Sequence, residues 1–97
     1  MDNKQLLSKI VLILKSEIQD EIVQIYLFGS RANGSAKNTS DYDIAIDINR
    51  KLELFELLSL KDKLNSLDTL HKIDLVDLNN TMDEFKAKIK KEWIVLH

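Results

Sequence analysis

A chain of 97 residues with 44% hydrophobic and 31% charged side chains has the composition of one globular domain, residues 1–97. It is neither depleted enough in apolar residues to stay disordered nor carries the run of roughly 18 apolar residues that would span a bilayer. Fourteen Lys and Arg against sixteen Asp and Glu give a net charge of -2, which argues against a general polyanion-binding surface, so no direct DNA binding is expected. With no cysteine, disulfides and thiolate metal sites are excluded, and any metal must be held by oxygen or imidazole. The amino-terminal apolar stripe is interrupted by Lys4, Lys9 and Lys15 and lacks a small-residue cleavage site, so no signal peptide is read and a cytoplasmic location is expected.

Leu6, Leu7, Ile10, Val11, Leu14 and Ile18 recur at three- and four-residue steps, which predicts an amphipathic helix from about Asn3 to Gln19. The short β-branched and aromatic run from Ile22 to Phe28 stops at Gly29 and reads as a buried strand. "RANGSAKNTS" is small and polar, suited to a tight turn or short helix and then a loop through Ser40. "DYDIAIDI" alternates, with Tyr42, Ile44, Ile46 and Ile48 on one face and Asp41, Asp43, Ala45 and Asp47 on the other, so a strand with one acidic face is expected.

Leu54, Leu57, Leu58, Leu60 (or Lys61), Leu64 and Leu67 predict a second amphipathic helix over residues 52–67, and "KIDLVDL" from Lys72 to Leu78 reads as another strand. Thr81 and Glu84 have capping-box spacing and open a helix to about Lys91, after which "EWIVLH" is read as a short strand or a docked plug. Helices alternating with strands imply a small α/β sandwich in which helices cover one sheet.

Both glycines and three aspartates of the chain fall between Tyr26 and Asp47. Asp41 and Asp43, two residues apart on a strand, would lie about 6.5–7 Å apart at Cα and repel by roughly 2 kcal/mol at an effective dielectric near 20. A divalent cation would turn that penalty into an attraction, although an isolated Asp-x-Asp is also compatible with a hydrated strand edge. Gly29-Ser30 directly after a buried strand lets backbone N–H groups and a hydroxyl approach a phosphate, although an isolated Gly-Ser is more often a plain strand-ending turn. The stretch lacks the spacing of a P-loop, a dinucleotide fingerprint or a nucleophile elbow.

Taken together, Gly29-Ser30, ten residues, then Asp41-x-Asp43 resembles the signature of the DNA polymerase beta-like nucleotidyltransferase superfamily, in its minimal, single-domain (MNT) branch. The local wording "FGSRANG" and "SDYDIAI", with Arg31, Ala32 and Gly34, is similar to that branch, and the resemblance runs from about Ile22 to the end. It implies the polymerase beta-like α/β (α+β) fold, a small mixed sheet of three to four strands covered by helices. It also implies a third carboxylate, which falls on Asp74. Asp77 competes for that role but has the opposite strand parity, and Asp47 is read as a hydrated edge residue.

The resemblance further implies ATP as substrate and two Mg²⁺ ions on Asp41, Asp43 and Asp74, with Gly29 and Ser30 on the β- and γ-phosphates and Asp74 available to accept a proton. Arg31 would stabilise phosphate charge or pair with a surface acid. Members of the branch are commonly encoded beside a HEPN-domain ribonuclease toxin and adenylylate a tyrosine on it, so an antitoxin in a hetero-oligomer with such a partner is expected. A nucleotide-binding subunit of a two-subunit transferase acting on a small molecule, and a non-catalytic binding antitoxin, are the alternatives. His71 and His97 lack metal-ligand spacing, Lys86, Lys88, Lys90 and Lys91 read as a solvated helix face or a docking strip for an acidic partner or RNA, and Trp93, where relatives often have Glu-Gly, is expected to pack on the sheet.

Overall fold

The computed structural model describes residues 2–97 and contains one four-stranded sheet in the order β3-β2-β1-β4. Helix α1 spans Asn3–Glu17 and begins in a capping box, with Asp2 accepting from Gln5 N at 2.8 Å and Gln5 Oε1 accepting from Asp2 N at 3.1 Å. Strand β1, Gln24–Phe28, is shorter than the expected run because Ile22 lies outside it and is exposed. A four-residue helix α2, Ser30–Asn33, follows, closed by Gly34 in the left-handed region at φ 83°.

Strand β2, Tyr42–Asp47, pairs antiparallel with β1, while β3, Ile73–Asp77, pairs parallel with β2 through the crossover helix α3, Leu54–Asn65. A single 3-10 turn at Leu78–Asn80 leads to α4, Asp83–Glu92, and the tail returns as β4, Ile94–Val95, antiparallel to β1. The expected capping box at Thr81 and Glu84 is not what starts α4. Met82 is the N-cap, and the Thr81 hydroxyl instead donates to Asp77 O at 2.7 Å, closing the turn after β3.

The two faces of β2 behave differently from a simple apolar/acidic split. Tyr42, Ile44, Ile46 and Ile48 bury against Leu6, Ile10 and Leu14 of α1 and Leu60 and Leu64 of α3. On the opposite face Ala45 is also fully buried, beneath Leu78 and Ile89 and beside Tyr26 and Phe28. The acidic face is therefore covered in its middle, and water reaches it toward the end that carries Asp41 and Asp43. On α3, Leu57 is half-buried, whereas Leu54 and Leu58 lie off the covered stripe and face solvent.

Candidate active site

Strand β1 ends at Phe28, which stands opposite Asp43 in the antiparallel register. The next residue, Gly29, adopts φ 73° and ψ -155°, a conformation essentially restricted to glycine. Its carbonyl accepts from Ala32 N at 3.0 Å and Asn33 N at 3.1 Å, so the chain turns at once into α2, leaving the Ser30 and Arg31 N–H groups at a helix start. A Cβ placed on Gly29 would overlap Asp43 Oδ2. The turn that could hold phosphates and the strand that carries the carboxylates are therefore in van der Waals contact.

Asp43 is flanked across the β2–β3 ladder by Asp74, its direct parallel partner. Strand parity puts both on one face, with Asp41 one pleat before Asp43 and Lys72 one pleat before Asp74. Paired strands lie about 4.8 Å apart, so the carboxyl groups of Asp43 and Asp74 share the same volume of solvent. Burial pushes the Asp43 carboxyl above its ordinary value, and the charges of Asp74 and Asp41 push it further, while Lys72 opposes them. Asp74 is half-exposed, with Lys61 Nζ at 3.9 Å.

Among the described residues no three Asp, Glu or His side chains converge closely enough to grip a metal ion as they stand. The donors are all carboxylate oxygens at the mouth of a turn that admits no side chain, a chemistry that fits a hard divalent cation carrying phosphates.

The other expected residues are distributed differently. Asp77 is buried on the opposite face from Asp74 and accepts from Leu52 N at 2.7 Å and Asn79 N at 2.9 Å, which makes it a brace between loops. Asp47 is not a hydrated edge residue. It accepts from Asn79 Nδ2 at 2.9 Å and Asn49 N at 3.0 Å; burial raises its carboxyl, but these bonds and the charges of Lys86 and Lys90 outweigh it and hold the carboxyl low.

Arg31, expected on phosphate or on a surface acid, donates to the backbone carbonyls of Ser40 at 3.0 Å and Asn38 at 3.4 Å and lies 4.4 Å above the Tyr42 ring, with no carboxylate among these contacts. His71 joins it through Nδ1 at 3.3 Å, whereas His97 meets β1 through its backbone. Trp93 stacks on Tyr26 with ring centroids 3.7 Å apart, as a residue packed on the sheet should. Lys61 and Lys72 were not singled out in the sequence. Only the parity of Lys72 with Asp74 gave a signal for the latter, and none existed for Lys61, which approaches from α3.

Residues 8–97 match the family described as Polymerase beta, Nucleotidyltransferase. The chain is 33% identical over 72 residues to the Haemophilus influenzae "Probable protein adenylyltransferase MntA", which covers 74% of this chain and 63% of that protein. It is 33% identical over 92 residues to a Methanocaldococcus jannaschii protein also named as a protein adenylyltransferase, covering 95% of this chain and 91% of the relative.

Among solved structures, a toxin–antitoxin with AMP-PNP superposes with TM-score 0.81 at 30% identity, over 94% of this chain and 72% of that one. The complex of a tri-AMPylated Shewanella oneidensis HEPN toxin with its MNT antitoxin does so with TM-score 0.77 at 27% identity, over 97% and 71%. The strand order, the glycine turn against Asp43 and the extent of these matches agree, and the chain belongs to the polymerase beta nucleotidyltransferase family.

Proposed function

We propose that this chain, acting as a single nucleotidyltransferase domain, transfers an adenylyl group from ATP to a protein hydroxyl, a tyrosine of a HEPN-domain toxin, and thereby serves as the antitoxin of a hetero-oligomeric pair. The observation that carries the reading is the contact of Gly29 with Asp43, flanked by Asp74 and Asp41 on one open face. The names of the relatives as protein adenylyltransferases, and the toxin complexes among the similar structures, support the acceptor class.

Asp41, Asp43 and Asp74 would hold Mg²⁺, two ions in our reading. When bound, Mg²⁺ supplies neutralisation of the triphosphate charge and acidifies the acceptor hydroxyl. Gly29 presents backbone to the β- and γ-phosphates and Ser30 offers its hydroxyl to them, which aims pyrophosphate away from the acceptor. The acceptor oxygen bonds to the α-phosphorus, and the bond from that phosphorus to the bridging oxygen breaks. Pyrophosphate leaves with the electron pair, and Asp74 takes the hydroxyl proton. The face is open because the partner supplies its second wall. A separate cleft runs along α1, lined by Leu7, Val11, Leu12 and Leu96. Dependence on ATP makes the cytoplasm the working compartment.

The test uses ATP labelled at the α-phosphate, with Mg²⁺, in lysate of the source cell. Label on one protein band with wild type and not with the Asp41→Asn, Asp43→Asn double variant, followed by an intact-mass gain of whole adenylyl units on that protein, is the expected result. Label confined to small molecules or RNA, or equal labelling by both proteins, overturns the reading.

A further inference from the structure

We infer that Arg31 is a positioning residue: it clamps the Gly29-Ser30 turn to the loop that delivers Asp41, and does not itself hold the nucleotide. Its guanidinium joins three stretches of chain that are separate in sequence. The side chain starts on α2, one residue after Ser30. Nη2 donates to Ser40 O at 3.0 Å and, at a longer 3.4 Å, to Asn38 O, in the loop immediately before Asp41. The cation lies 4.4 Å over the ring of Tyr42, the residue between the two aspartates. His71, in the turn that leads into β3 and Asp74, closes the group through Nδ1 at 3.3 Å, with its ring edge-on to Tyr42 at 5.3 Å.

Tyr42 is 1% exposed and its hydroxyl donates to Asn3 Oδ1 of α1, so the surface on which Arg31 rests is itself fixed to the core. Successive residues of a strand point to opposite faces, so the Tyr42 ring that holds the guanidinium lies behind β2 while the Asp43 carboxylate lies in front. Arg31 Nε is buried with no acceptor, which leaves the carbonyls, His71 and the Tyr42 ring as the groups that hold the charge. Between Gly34 and Asp41 the chain is the polar run "SAKNTS", with no apolar side chain larger than alanine to anchor it. The β1–β2 register and the Gly29 contact hold Asp43 against the phosphate turn, but Asp41 precedes the strand; without the clamp its place relative to that turn would be set by the polar run, and an error of about 1 Å in such alignment costs on the order of a hundredfold in rate.

The kinetic part of the test rests on the adenylyl-transfer reading; the rest does not. Arg31→Ala and the milder Arg31→Lys are compared with wild type in three measurements on the folded full chain: affinity for AMP-PNP with Mg²⁺, amide hydrogen exchange, and turnover against KM for ATP in transfer to the labelled protein acceptor. The expected result is AMP-PNP affinity within about twofold, faster exchange confined to residues 35–43, and turnover lower by roughly tenfold or more with KM for ATP unchanged. Tyr42→Leu should give the same pattern, and adding it to Arg31→Ala should cost little more, because the two act as one unit.

A tenfold loss of AMP-PNP affinity with exchange unaltered makes Arg31 a phosphate ligand and overturns the inference. Exchange unaltered with affinity also unaltered overturns it as well. Arg31→Lys carries the comparison if the alanine variant does not fold. Should wild type transfer nothing to any protein, the functional reading fails alone, and the exchange pattern together with AMP-PNP binding still decides the role of Arg31.

Discussion

The α-carbon of Gly29 packs directly against the carboxylate of Asp43, in a backbone conformation, φ 73° and ψ -155°, that only glycine adopts freely. Gly29→Ala introduces two penalties at once. The new Cβ must displace Asp43 Oδ2, and the backbone strain costs on the order of 1–3 kcal/mol. We expect a chain that still folds at 20 °C, with a depressed melting temperature and no detectable adenylyl transfer. Circular dichroism melts and the labelled-ATP assay check both halves; an active alanine variant would show that the close approach is dispensable.

Asp43 also carries a pH signature. Burial, Asp74 and Asp41 raise its carboxyl above the ordinary value of 3.8, so the ionised form is the one the fold disfavours. A group with a raised folded value stabilises fully below its unfolded value and loses that contribution as pH rises through the folded one. Metal-free Asp43→Asn should therefore match wild type near pH 3 and become the more stable of the two as pH climbs above 3.8. Adding Mg²⁺ at pH 7 should reverse the order, because the cation stabilises only the protein with its carboxylates intact. Urea midpoints with and without Mg²⁺ measure this, and a wild type that outlasts Asp43→Asn in metal-free buffer at pH 7 would contradict it.

The two aspartates of β3 separate chemistry from architecture. Asp74→Asn removes the group beside Asp43 from a half-exposed position, so transfer should be lost with the melting temperature held or raised. Asp77 is 5% exposed and accepts from Leu52 N and Asn79 N, so Asp77→Ala strands two backbone donors and should cost about 1.5–3 kcal/mol. In a domain of this size that lowers the melting temperature by on the order of 10 °C. What folded Asp77→Ala remains should retain transfer per molecule, as a paired melt and assay would show.

The site divides by how far apart in sequence its parts lie. Gly29, Ser30, Asp41 and Asp43 were legible because a strand end, a turn and a period-two alternation are local patterns, and the ten-residue spacing carried the family resemblance. That Asp74 lies beside Asp43 depends on parallel pairing of β2 with β3, which parity alone supported and only the register establishes. The roles of Arg31 and Lys61 were hidden because their partners, Ser40, His71 and Asp74, lie nine, forty and thirteen residues away with no repeating pattern to reveal them. Thr81 misled for a simpler reason: its hydroxyl had a competing acceptor in Asp77 O, and capping spacing cannot register a competitor. Leu54 and Leu58 fell within the leucine pattern, yet α3 turns Leu57, Leu60 and Leu64 to the core and leaves Leu54 and Leu58 facing solvent, and it ends at Asn65, before the half-buried Leu67.

Far from the carboxylates, Arg50 forks between Asp20, at 2.7 and 3.1 Å, and Glu56, at 3.0 and 2.9 Å, tying the loop before β1 to the start of α3. The hydrogen bonds from Arg50, and then that from Glu53 N, hold the Glu56 carboxyl at about 2, well below its ordinary 4.5. Asp20 is lowered by the same guanidinium. A carboxylate with a depressed folded value contributes stability above its unfolded value and loses it as pH falls through the folded one. Arg50→Met should therefore be less stable than wild type at pH 5 to 7, with the gap narrowing between pH 4.5 and about 2. All three side chains meet solvent, so the gap should be modest and should shrink in about 1 M salt, where surface charges are screened within about 3 Å. Urea midpoints at pH 6, 4 and 2.5, in low and high salt, decide it, and a gap that is constant across pH would mean that Arg50 acts through packing of its stem and not through its charge.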